Sequence, residues 1–66
     1  MEEPGQLVWT LQPASSDEWR LITGDHPKWG SCVYRVSRES IDMVFGELGW
    51  PFPPDWLITE ALKGIG

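Results

Sequence analysis

The chain has 66 residues, with ten acidic and five basic side chains for a formal charge of −5, and it carries seven Gly, six Pro, five Trp, one Cys and one His. That length leaves room for one core, because a domain of this size buries only roughly 60% of the surface its unfolded chain exposes. The lone Cys32 excludes an intrachain disulfide and, with a single His, leaves no zinc staple, while the negative charge opposes direct binding of nucleic acid or an anionic membrane, which need clustered cations.

The opening residues, MEEPGQ, hold two carboxylates, Pro4 and Gly5, and are expected to form a flexible N-terminus (1–6) ahead of a single domain (7–66). Over 7–12 the order L-V-W-T-L-Q puts Leu7, Trp9 and Leu11 on one side, the period-2 pattern of a half-buried strand. A polar turn, PASSD, follows, and then a second strand over 18–23 with Trp19, Leu21 and Thr23 on one face and Glu18, Arg20 and Ile22 on the other. A hairpin centred on Ser15 sets Trp9 opposite Leu21 and Leu11 opposite Trp19, which makes these the core faces. The stretch GDHPKWG, 24–30, is bounded by glycines and contains a proline, so it is expected as a loop. It leads to a third strand over 31–36 with Cys32, Tyr34 and Val36 inward.

Beyond residue 36 the apolar period changes to 3.6. Ile41, Val44, Phe45 and Leu48 fall at i, i+3, i+4 and i+7, with Ser37 or Ser40 as N-cap and Gly49 at C′, and they predict a first helix. Gly46 costs that helix about 1 kcal/mol relative to Ala, and close packing on the sheet explains its presence. The segment WPFPPD is a rigid extended connector, because each residue before a proline is pushed out of the helical region. A second helix follows, with Pro54 at N1, Asp55 in the first turn, Ile58, Ala61, Leu62 and Ile65 as its stripe, and Lys63 and Gly64 closing it. The predicted fold class is α+β: a three-stranded antiparallel β-meander followed by two α-helices, in the order βββαα.

Candidate chemistry is sparse. His26 and Cys32 are one pair that could form a nucleophilic site, but a cysteine predicted to face inward from a strand behaves as a small hydrophobe. Asp25, His26 and Cys32 match no metal-ligand spacing, so no metal is expected; Asp25 is instead expected to cap the turn before Pro27, with His26 solvated. No glycine arrangement cradles a phosphate, and no cofactor is expected. Arg20 and Arg35 could share a sheet face with Thr10 and Ser31 against DNA, but Glu18 and the net charge oppose it. With no basic-then-apolar start and no apolar run of ten residues, neither a signal peptide nor a membrane span is expected, and the expected location is cytoplasmic.

The stretch E-W-R-L-I-T-G, 18–24, together with three strands preceding a helix, resembles in architecture the small acidic MbtH-like proteins, which bind adenylation domains. The S-L-W-P and R-P-x-S-L motifs of that family are absent, so the likeness assigns no family.

What remains is a surplus of aromatics on stiff or turn-rich backbone. Trp29, Lys28 and His26 lie in the GDHPKWG loop, and Trp50, Phe52 and Trp56 flank the proline bend; rigid aromatics of this kind make interface hot spots. These six are the expected partner-binding residues of a small acidic, non-catalytic protein-binding module, an accessory or regulatory protein whose charge favours a larger, basic protein partner. Trp29 is the first choice, because Trp9 and Trp19 are taken up by the sheet core. The alternatives are a nucleic-acid-mimicking inhibitor of a DNA-binding enzyme, which would require a contiguous acidic face, and a self-associating subunit such as a homodimer.

Overall fold

The computed structural model describes residues 7–13, 16–47 and 49–65; the expected flexible terminus, the hairpin centre at Ser15 and Leu48 lie outside the described residues. Its elements are β1 (Val8–Leu11), β2 (Trp19–His26), β3 (Gly30–Ser37), β4 (Ile41–Phe45) and α1 (Asp55–Lys63). The four strands form one antiparallel sheet in the order β1-β2-β3-β4. Among the described residues the architecture is a β-rich α+β fold with one short helix. This corrects the βββαα expectation, in which 41–48 forms a helix, and with it the order of elements on which the likeness to MbtH-like proteins rests.

The error at β4 has a physical source. Ile41, Val44 and Phe45 satisfy a helical stripe, but β-branched and aromatic residues also suit a pleated strand. Pairing decides between them. Val36 pairs with Ile41, Arg35 with Asp42 and Tyr34 with Met43, and a bulge then brings Phe45 opposite Val33. An isolated helix of this length is marginal, whereas the exposed edge of β3 offers a full row of backbone partners. Ser37 and Ser40 do not cap a helix. Ser37 Oγ accepts from Ser40 N at 3.2 Å and Ser37 N donates to the Ser40 carbonyl at 2.9 Å, closing the β3–β4 turn.

The β1–β2 register also differs from expectation. Trp9 pairs with Gly24 and Leu11 with Ile22, three residues further along β2 than a hairpin centred on Ser15 implies. An odd shift turns a strand over, so Ile22 and Arg20 face the core side while Trp19, Leu21 and Thr23 face away. Gly24 favours this register: a Cβ there would lie 2.9 Å from Trp9 Cζ3 and 3.1 Å from Cys32 Sγ. Only the missing side chain lets the Trp9 indole lie across β2. The facing of β3 is as expected, with Cys32, Tyr34 and Val36 buried.

α1 packs across β2 and β3, and Leu57 and Ala61 join Ile22, Cys32, Tyr34 and Val36 in the buried cluster. Pro54 is the N-cap rather than N1, its carbonyl accepting from Leu57 N and Ile58 N. The C-terminal end is held by cations, which its dipole favours. Arg38 Nη2 donates to the Ile65 carbonyl at 2.8 Å, and a Cβ at Gly64 would meet Arg20 Nη1 at 2.5 Å. Arg20 therefore lies on the helix side of the sheet, and Arg35, paired across from Leu21, projects from the other. The two arginines do not share a face, which removes the basis for the DNA-groove arrangement. Among the described residues no helix is long and apolar enough to cross a membrane.

Candidate functional site

The β2–β3 turn builds the site. Pro27, with its fixed φ, enters the turn 27–29, and Gly30 leaves it at φ 92°, a left-handed conformation that favours glycine. His26, the last residue of β2, organises the turn: its Nδ1 accepts from Lys28 N at 3.0 Å and from Trp29 N at 3.3 Å. This corrects two expectations. The turn is capped by His26 rather than Asp25, whose carboxylate instead accepts from Ser31 Oγ at 2.6 Å, and His26 is half-buried rather than solvated.

The same geometry lays the His26 ring on Trp29, centroids 4.0 Å apart and planes within 14°. Trp29 meets Trp50 nearly at a right angle, 5.6 Å and 86°. Trp50 in turn stands edge-on to Trp9 at 6.4 Å, Trp9 lies 6.2 Å from Tyr34, and Tyr34 lies 5.8 Å from Phe52. Six rings thus run in contact from the hairpin turn to the proline segment, which is further tied down by a long hydrogen bond from Tyr34 Oη to the Pro51 carbonyl, 3.4 Å. Edge-to-face pairs of this kind add about 0.5–1.5 kcal/mol each beyond their buried area.

The array is buried in the middle and open at its ends. Trp9 and Trp50 pack against the core, whereas Trp29 is 56% exposed and Phe52 58%. A groove of about 320 Å³ opens at the hairpin end, lined by Lys28, Trp29, Glu47, Gly49 and Trp50. A second hollow shares Trp29, Glu47 and Trp50 and adds Val44, Phe45 and Ser31.

Of the six residues singled out in the sequence, the fold brings together His26, Lys28, Trp29 and Trp50. Phe52 sits at the far end of the ring array. Trp56, 64% exposed on α1, has no ring partner among the described residues. Glu47 and Gly49 were missed because both fall in the segment expected as helix and its cap. Trp9 is expected as core, and its edge-on contact with Trp50 carries no signal in the sequence. Trp19 is not core: it lies half-buried on the opposite sheet face.

Cys32 is fully buried. Its thiol is pushed up from the ordinary value mainly by burial, with the Asp25 charge adding and a backbone hydrogen bond at Gly24 opposing. His26 engages its Nδ1 in the turn, and among the described residues no hydrogen bond joins His26 to Cys32. Among the described residues no group of three or more His, Cys, Asp or Glu is placed to hold a metal ion. Comparison with family models, curated proteins and solved structures returned no match, so no function is carried over from a relative.

Proposed function

We propose that the chain is a small acidic, non-catalytic protein-binding module that engages a larger partner through the Trp29 end of its aromatic array. One observation carries this reading: a large indole more than half exposed, yet fixed by the stacked His26 ring on one side and the Trp50 ring at its edge. A side chain already held in position loses little freedom on binding, which is what makes rigid aromatics effective at interfaces.

The test is Trp29→Ala. It removes two ring contacts, together worth about 1–3 kcal/mol, and Tm falls by roughly 4–8 °C per kcal/mol lost while unfolding stays cooperative. Capture of a partner from native extract by the tagged protein is lost. A collapse of Tm, or partner capture that survives the substitution, overturns the reading.

A second reading, self-association, is favoured by the sheet face opposite α1, where Val8 is 53% and Phe45 62% exposed beside half-buried Trp19, Leu21 and Val33. Light scattering over a concentration series separates the two readings. A monomer at all concentrations removes the second.

A further inference from the structure

We propose that the corner between Trp29 and Trp50 is a pocket for a methylated ammonium group, carried on a lysine side chain of the partner protein. The inference rests on the protein-binding reading above and names what that partner presents.

Three observations converge. The two indoles stand at 86° with centroids 5.6 Å apart, so a cation seated in their corner lies within the roughly 6 Å of both ring centres over which cation–π attraction acts. The groove they line also contains Glu47, an exposed carboxylate that supplies a counter-charge, and Gly49, where nothing lies within 4 Å of a would-be Cβ. The charge of the chain is complementary to such a ligand as well. Among the described residues the one ion pair is Lys63–Glu60, and Arg20 and Arg38 donate to the backbone carbonyls of Gln12 and Ile65. The acidic surplus, Glu47 included, is therefore not neutralised internally.

Methylation matters because a bare ammonium is strongly hydrated, and an aromatic corner with a single carboxylate offers too few hydrogen-bond acceptors to replace that water. A methylated ammonium keeps the charge and presents methyl groups to the rings. His26 holds the Trp29 indole in place, stacked on one of its faces and accepting hydrogen bonds at Nδ1 from Lys28 N and Trp29 N. Lys28 opposes the ligand. It is the one cation lining the groove, on an exposed turn, and its effect gives the proposal a sign that can be measured.

The experiment uses the full chain and NMR of the indole N–H resonances, titrated with an acetylated, amidated trimethyllysine. Three controls accompany it: the neutral analogue with a tert-butyl group in place of the trimethylammonium, unmodified lysine in the same blocked form, and phosphatidylcholine vesicles. Trimethyllysine shifts the Trp29 and Trp50 resonances and binds about 10-fold more tightly than the neutral analogue, the range expected of a partly desolvated cation–π contact. Unmodified lysine binds severalfold more weakly. Glu47→Gln weakens trimethyllysine binding severalfold and Lys28→Gln strengthens it; both positions are exposed, so neither variant disturbs the fold. Equal binding of the neutral analogue, reversed signs for the two variants, or no indole response to trimethyllysine overturns the proposal. Binding to phosphatidylcholine vesicles tighter than to trimethyllysine overturns the assignment to a protein side chain. Loss of partner capture in Trp29→Ala with no response to trimethyllysine removes this inference alone and leaves the protein-binding reading standing.

Discussion

The two faces of the sheet are built from the same strands and differ in almost everything else. On the α1 side, Ile22, Cys32 and Val36 are fully buried, Tyr34 is 5% exposed, and Trp9, Leu11, Ile41 and Met43 pack around them. The other side carries Val8, Trp19, Leu21, Val33 and Phe45 among Thr10, Thr23, Arg35 and Asp42, with none of them fully buried. A single nine-residue helix can cover only one face of a four-stranded sheet. The chain therefore concentrates its stability on one side and leaves on the other a surface of mixed character. The aromatic array belongs to the covered side but escapes its edge at the β2–β3 turn, where Trp29 reaches solvent.

The comparison is broken most severely by truncating the covered side. Ile22→Ala, at the centre of the cluster, is expected to cost about 2–5 kcal/mol through lost transfer energy and the cavity left behind, which urea denaturation at neutral pH measures. For a domain this small that is a large share of its total stability.

Next in size is Gly46→Ala. The backbone there has φ 125°, and a Cβ would come within 2.8 Å of Cys32 Cβ and 3.2 Å of its Cα. Strain and the steric clash act together, for a cost of about 1–3 kcal/mol in the same assay. A neutral outcome would mean that β4 detaches from β3 at its bulge without consequence.

A smaller effect is expected from alkaline pH. Burial raises the pKa of Cys32 above its ordinary 9.0 and that of Tyr34 above its ordinary 10.0, with the neighbouring Cys32 charge adding to the latter. In both cases the folded state holds the proton more tightly than the unfolded state. Their contribution is complete below the ordinary thiol value and is lost as pH rises through the raised values. Urea midpoints are thus expected to fall as pH rises past 9.0 and to go on falling past 10.0, with a shallower fall in Cys32→Ala. Alkylation of Cys32 in the folded protein is correspondingly slow.

The smallest effect falls on the open face. Phe45→Ser is expected to change stability by no more than about 0.5 kcal/mol. If the chain self-associates, the same substitution weakens that association, which sedimentation at two concentrations reads directly. A cost like that of Ile22→Ala would show that the two faces are less different than their burial implies.

Much of this division can be read in the linear order of residues. The alternation in β1 and β3 marks which side chains turn inward, and the proline pair followed by an apolar stripe marks α1. The concentration of aromatics at 26–29 and 50–52 marks the candidate site, because those rings sit on backbone restricted by Pro27, Pro51 and Pro53. The stripe at Ile41, Val44 and Phe45 is ambiguous, since the same residues serve a helix or a bulged strand. The facing of β2 is ambiguous too: Trp19 and Leu21 on one side and Arg20 and Ile22 on the other give two alternations of similar apolar content.

By itself, then, the sequence determined an acidic, aromatic-rich composition, a lone cysteine that excludes an intrachain disulfide, and a helix after the proline bend. Only the tertiary structure decided the fourth strand, the face of β2 and the company Trp29 keeps. The reason is the same in each case. Local preference for strand or helix at these positions amounts to a few tenths of a kcal/mol per residue, whereas pairing with the free edge of β3, or seating the Trp9 ring over Gly24, engages a whole strand or a whole indole at once. Contacts between residues far apart in the chain outweigh such preferences, and neither is written in any one segment.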